Sequence, residues 1–264
     1  MRGPAVLRHP AGGGAPLTRI AVLSDIHGNR VALEAVLAEI RRDLPDWVLV
    51  AGDLVMNGPD PNGTIDVLRA LEADGGLIVS GNTDIAVGDF DYGAAFPQYQ
   101  DGVPETVTEA AEWAHDELGD DQLDWLRRLP AERRIRAGDD QLVLVVHASP
   151  GSQTRGFDQA LDANVIFERA AATDARIICV GHTHIPEVRD LGFKVIVNDG
   201  SAGFAFDGDP TASWAMVTVD GTDVSAAIRR TEYDVLAVAN AISERGLPGD
   251  VYRAATVRTG KLVR

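Results

Sequence analysis

Residues 18–29 read Thr-Arg-Ile-Ala-Val-Leu-Ser-Asp-Ile-His-Gly-Asn. The apolar run from Ile20 to Leu23 has the length and Val/Ile/Leu character of a buried strand, so residues 19–24 are expected to form one. After Gly28-Asn29 the apolar positions Leu33, Val36, Leu37, Ile40 and Leu44 recur at spacings of three and four, which is one face of a helix, and Pro45 stops it. Outward from this unit the same alternation repeats. Residues 47–51 read as a second strand, 61–73 as a helix with proline in its first turn, and 77–80 as a third strand. Strands and helices in strict turn over the first eighty residues make this an α/β protein.

Residues 84–118 break the rhythm. Phe90, Tyr92, Phe96 and Tyr99 lie there among Gly, Pro and Asp, ahead of a helical stretch at 105–117, so the segment reads as an insertion or a lid. A short helix is expected at 121–129, paired strands at 133–137 and 141–147, a helix at 161–172 and a strand at 176–180. Beyond residue 188 the pattern turns to hairpins around Gly192 and Asp220-Gly221, followed by a helix at 234–244. The second half is therefore expected to be antiparallel. A sequential βαβ half followed by hairpins points to two packed sheets covered by helices. Residues 18–230 carry no linker or repeat, so 18–264 read as a single domain, while 1–17, with three Pro, two Arg and a Gly-Gly-Gly run, read as a flexible tail.

The chain has 264 residues, 45% hydrophobic and 24% charged, enough to bury a large core without cross-links. One cysteine, Cys179, excludes an intrachain disulfide, and no apolar run reaches the ~18 residues that would span a bilayer. A cytoplasmic location, with no membrane partner, is the expectation. A net charge of −16 opposes a phosphate backbone, so a nucleic-acid polymer is disfavoured as substrate.

Chemistry-bearing residues gather at strand ends. The first strand ends in Asp25-Ile26-His27, the second in Gly52-Asp53, and the third in Gly81-Asn82-Thr83-Asp84. In an open α/β sheet those carboxyl ends line the ligand crevice. Later, one strand runs into His147 and another into Gly181-His182-Thr183-His184, whose two imidazoles share one side. Asp25, His27, Asp53, Asn82, His147, His182 and His184 thus combine hard oxygen with borderline nitrogen donors, which suits Mn²⁺, Zn²⁺, Fe, Co or Ni. Seven donors exceed one tetrahedral ion and match two ions sharing a carboxylate. Asn29, Thr83 and Arg155 are the candidate substrate contacts, Arg155 because a guanidinium can fork onto a phosphate.

The ordered set Asp25-x-His27, Gly52-Asp53, Gly81-Asn82, His147 and Gly181-His182-x-His184 resembles the motifs of the calcineurin-like metallophosphoesterase superfamily, most closely its small bacterial and archaeal phosphodiesterases. The resemblance spans about residues 18 to 200 and implies a four-layer α/β/β/α sandwich of two mixed sheets flanked by helices. It also implies two divalent cations, with Mn as the first choice. Asp25, His27, Asp53 and His184 would hold one, and Asp53, Asn82, His147 and His182 the other. Asp53, Asn82 and His147 would then be catalytic, with a metal-bridging hydroxide hydrolysing a small phosphodiester. Phosphomonoesters, phosphoproteins and dinucleoside polyphosphates are the alternative substrates of such a site, a non-catalytic metal-binding scaffold the alternative role, and a homo-oligomer a further expectation. Many relatives carry a histidine directly after the Asn of the third motif, where it assists the leaving group; here that position is Thr83.

Overall fold

The computed structural model describes residues 6–8 and 17–263. Ile20, Ala21, Val22 and Leu23 are all fully buried, so the opening run forms a central strand, β2 (Thr18–Leu23), covered on both faces. It runs parallel to β3 (Trp47–Val50), which runs parallel to β4 (Leu77–Ile78). Helices α1 (Arg30–Asp43) and α2 (Pro61–Ala73) make the crossovers. The Asn29 side chain caps α1 by accepting the Ala32 N–H at 3.1 Å, and Asp60 caps α2 by accepting the Gly63 N–H at 2.9 Å.

Residues 82–127 build four more helices: α3 (Asn82–Asp89), α4 (Tyr92–Ala95), α5 (Glu105–Asp116) and α6 (Asp120–Arg127). Ala86, Val87, Ala95, Phe96, Ala110, Ala111 and Ala114 bury against the same apolar cluster as Leu33 and Val36 of α1. The segment expected as an insertion or lid is thus part of the outer helix layer, with Phe90 and Tyr99 left half-exposed at its rim.

The chain continues through β5 (Glu132–Ala137), β6 (Gln141–Val146), α7 (Ala163–Ala171), β7 (Ile177–Val180), β8 (Glu187–Asp190) and β9 (Val195–Asn198). It ends with the hairpin β10 (Ala212–Asp220) and β11 (Asp223–Thr231), then α8 (Val235–Glu244) and α9 (Asp250–Thr259). Five strands form one sheet in the order β11-β10-β2-β3-β4, and six form the other, β1-β5-β6-β7-β9-β8, where β1 is Val6–Arg8. Both sheets are mixed. Ile20, Val22 and Leu49 of the first meet Val143, Val145, Ile177 and Val197 of the second between the sheets. Ala21, Leu23 and Val50 point outward beneath the helices, and Leu144, Ile178 and Ile196 point outward beneath Ile166 and Ala170 of α7. The layers are α/β/β/α.

Three features depart from the sequence reading. β6, β7 and β9 pair parallel, so the second half is not antiparallel throughout. Its last hairpin crosses to the other sheet, where β10 lies antiparallel to β2, with Ala215 opposite Val22. Val6–Arg8, read as tail, pair parallel with β5 as an edge strand; the rest of residues 1–16 lies outside the described residues. Among the described residues no helix is long and apolar enough to cross a membrane.

Candidate metal centre

The carboxyl ends of β2, β3, β6 and β7 open on one rim, and the turns leaving them carry the acidic and imidazole side chains. These turns are tied to one another by backbone bonds. The Asp25 N–H donates to Gly52 O at 2.9 Å, the His27 N–H to Asp53 O at 3.0 Å, and the Gly181 N–H to His147 O at 2.9 Å. The rim is therefore one fabric rather than independent loops. A Cβ on Gly181 would fall 2.1 Å from Ser24 Oγ and 2.2 Å from Asp25 Oδ2, so only glycine lets β7 come this close to β2.

Asp25, His27, Asp53 and His184 are buried, and one donor atom from each lies within 4.8 Å of the others. His184 Nε2 is 3.2 Å from Asp25 Oδ1 and 3.2 Å from His27 Nε2, and His27 Nε2 is 3.6 Å from Asp53 Oδ2. On the other side of Asp53, Oδ1 lies 3.4 Å from His147 Nε2. Asn82 Oδ1 is 3.1 Å from both His147 Nε2 and His182 Nδ1, and those two nitrogens are 3.2 Å apart. All seven residues singled out as donors are thus brought together, with the two oxygens of Asp53 between two clusters.

The outward ring nitrogens are occupied. His27 Nδ1 bonds Met56 O at 2.8 Å, His147 Nδ1 bonds Ala51 O at 2.7 Å, and His184 Nδ1 bonds Phe204 O. A carbonyl can only accept, so each Nδ1 carries a hydrogen and, in the neutral ring, each Nε2 turns its lone pair toward the site. Phe206 stacks on the His184 ring at 4.0 Å, fixing its plane.

Like charges and burial set the proton affinities. Burial, and then the neighbouring His184, push His27 down to about 4, while burial followed by His147 pushes His182 down to about 4. For His147 and His184 burial also disfavours the cation, but Asp53 and Asp25 outweigh it and raise both. The Asp25 carboxyl, despite full burial, is held well below the usual range by the imidazoles, His184 first. These residues fit a cation. Asp25 Oδ1 is a buried oxygen without a hydrogen-bond partner, aimed at His27 and His184, and oxygen with imidazole nitrogen is the donor set of a borderline divalent ion.

Supporting residues lie just behind. Asp84 accepts the N–H groups of Asp53, Leu54 and Gly81 at 2.8–3.0 Å, and burial, then Asp53, push its carboxyl up to about 7. Asn198 donates to Gly181 O and Thr183 Oγ1, and Ser201 donates to Asp25 O at 2.7 Å. Asn198 and Ser201 were missed from the sequence, although Asn198-Asp199-Gly200-Ser201 ends a strand with the same polar grammar as the other motifs. Of the expected substrate contacts, Asn29 is 2% exposed, its side chain accepting from the Ala32 N–H as the α1 cap and donating to Gly203 O. Thr83 is buried beside Asp53, its N–H donating to Asp53 Oδ1 at 2.9 Å and its hydroxyl without a partner. Arg155 lines a cavity of about 610 Å³ together with Gly156, Gln159, His182, Thr183 and Ile185.

The similarities of the chain agree with this geometry. Residues 18–222 match the calcineurin-like phosphoesterase superfamily domain. An uncharacterized protein of Methanocaldococcus jannaschii is 29% identical over 246 residues, 87% of this chain and 93% of its own length. The crystal structure of a metallophosphoesterase from Sphaerobacter thermophilus superposes with a TM-score of 0.71 at 29% identity, covering 93% of this chain and all of that one. A hypothetical protein of Pyrococcus horikoshii shares the fold, with a TM-score of 0.78 at 20% identity over 92% of this chain and 98% of the other. With a superfamily domain matched over most of its length and a buried Asp/His group at the strand ends, the chain belongs to the calcineurin-like phosphoesterase superfamily.

Proposed function

We propose that this phosphoesterase hydrolyses small phosphodiesters with the help of two divalent cations, Mn²⁺ being the first candidate. The observation that carries the reading is the placement of Asp53, with one carboxylate oxygen facing His27 and the other facing His147. Asp25, His27, Asp53 and His184 would hold one cation, and Asp53, Asn82, His147 and His182 the other. When bound, such a pair supplies Lewis-acid stabilisation of phosphoryl charge and a water acidified toward neutrality.

The chain's own residues do the rest. The three Nδ1–H···O=C bonds orient the Nε2 lone pairs before any ligand arrives, so little reorganisation is needed. Thr83, whose hydroxyl has no partner beside Asp53, is the proposed donor to a phosphoryl oxygen. Arg155, in a cavity that reaches His182, can pair with a non-bridging oxygen or with the second arm of a diester. With threonine after Asn82, no imidazole stands ready there to protonate the leaving group, which favours esters whose leaving group is a stable anion. Residues 18–264 work as one domain, because α8 and α9 pack on Phe204, whose carbonyl holds His184.

The test is hydrolysis of bis-p-nitrophenyl phosphate beside p-nitrophenyl phosphate, using protein stripped with chelator and reloaded with Mn²⁺. Cation-dependent turnover that favours the diester and vanishes in Asp53→Asn is expected. If two cations bind and neither ester is cleaved, the hydrolase reading falls and a scaffold role takes its place.

A further inference from the structure

Asp199, just beyond β9, is fully buried, and neither cation nor substrate gives it a task. Its Oδ2 lies 3.1 Å from Ser24 Oγ, and Ser24 Oγ lies 2.5 Å from Asp25 Oδ2. Its Oδ1 has no hydrogen-bond partner. A serine hydroxyl owns one hydrogen and cannot donate to both carboxyls. The 2.5 Å contact has the length of a charge-assisted O–H···O⁻ bond, which assigns that hydrogen to Asp25. Ser24 then turns a lone pair toward Asp199 Oδ2, and two acceptors would face each other inside the protein unless Asp199 carries a hydrogen of its own.

We propose that Asp199 is a neutral carboxylic acid that donates to Ser24 Oγ, so that Asp199, Ser24 and Asp25 form a hydrogen-bonded chain positioning the Asp25 carboxylate. Asp25 Oδ2 is then consumed by Ser24 Oγ and by the His182 N–H at 2.8 Å, which leaves Oδ1 as the oxygen offered to a cation. Burial and the nearby Asp25 charge both favour the neutral acid at Asp199. A neutral acid here also avoids a further negative charge behind a carboxylate already in use. The positioning role rests on the cation-binding reading of Asp25, whereas the neutral state of Asp199 does not.

Two measurements test it. The infrared difference spectrum of the metal-free parent minus Asp199→Asn at neutral pH should contain the carbonyl stretch of a protonated carboxylic acid, the contribution of Asp84 being common to both proteins and cancelling. Mn²⁺ titration calorimetry should then find Asp199→Asn within about twofold of the parent, because an amide N–H can still donate to Ser24. Asp199→Ala should bind about tenfold more weakly, and Ser24→Ala/Asp199→Ala no more weakly than Asp199→Ala, as expected for groups acting in series. A missing carbonyl band overturns the proposal, as does an Asn variant that loses as much affinity as the Ala variant. If the parent binds no Mn²⁺, the cation reading fails and the proposed positioning of a ligand falls with it, while the band still decides the state of Asp199. The band and the Asn variant keep the test decisive even where the Ala variant does not fold.

Discussion

Asp25, His27, Asp53, His182 and His184 all have positive φ, between 51° and 70°. Side chains other than glycine pay on the order of 1 kcal/mol or more for that region, so the strain sits where the chemistry is. The strain turns successive side chains inward at the ends of their strands, and burial makes each substitution there costly. Asp53→Asn is expected to weaken cation binding in both clusters by at least tenfold and to abolish turnover, as read by calorimetry and by ester hydrolysis on reloaded protein. Thr83→Val keeps the shape and removes only the free hydroxyl. It should lower kcat/KM for the diester about tenfold, roughly 1.4 kcal/mol, with Mn²⁺ affinity unchanged; unchanged kinetics would remove Thr83 from substrate binding. The imidazoles also set a pH dependence. His147 and His184 titrate above the ordinary value in the metal-free protein, and both must be neutral to ligate. Cation affinity should therefore rise as pH rises past the ordinary imidazole range, with release of protons, measurable by calorimetry in buffers of different ionisation enthalpy.

At the scale of elements, the site is a set of strand-end turns held by carboxylates and backbone bonds. Asp84, in the first turn of α3, gathers three N–H groups from two different turns and thereby locks the end of β3 to the start of α3. Asp84→Ala leaves those donors buried and unmet, and a loss of about 3 kcal/mol or more is expected in denaturant unfolding, together with weaker cation binding. A loss below about 1 kcal/mol would mean that water replaces the carboxylate. Much of this level is readable from residues alone. α2 occupies the very span, Pro61–Ala73, that its apolar spacing and its leading proline indicate, and the hairpins around Gly192 and Asp220-Gly221 form where those turn residues stand. The exceptions are instructive. β4 is only two residues long, and α9 carries so few periodic apolar positions that it gives no helical signal of its own. Its buried Ala254 and Val257 find their partners on α8, 12 or more residues away.

For the whole molecule, charge and site pull in opposite directions. The chain carries −16, yet the two divalent cations proposed for the site would, set against Asp25 and Asp53, leave the centre net positive. An anionic ester is repelled at long range and attracted at short range. Screening should therefore raise kcat/KM as salt increases, more for substrates of higher negative charge; a fall with salt would mean that local attraction by Arg155 and the cations dominates the encounter.

By itself the sequence determined the α/β class, the places of β2, β3 and β4 and of their crossover helices, and the gathering of seven Asp, Asn and His side chains at strand ends. Those features are local: apolar period, turn residues and polar residues that terminate a strand all act within a few positions of the chain. Tertiary structure decided which sheet each later strand joins, setting β10 against β2 and Val6–Arg8 against β5. It also decided that residues 84–118 complete the helix layer and that Asn29 is a cap. Asp199 acquires its place behind Asp25 in the same way, across 174 positions of chain, though the hydroxyl between them, Ser24, is adjacent to Asp25. These choices depend on which apolar faces meet and which buried hydrogens find acceptors, and both are settled only when distant segments close on one core.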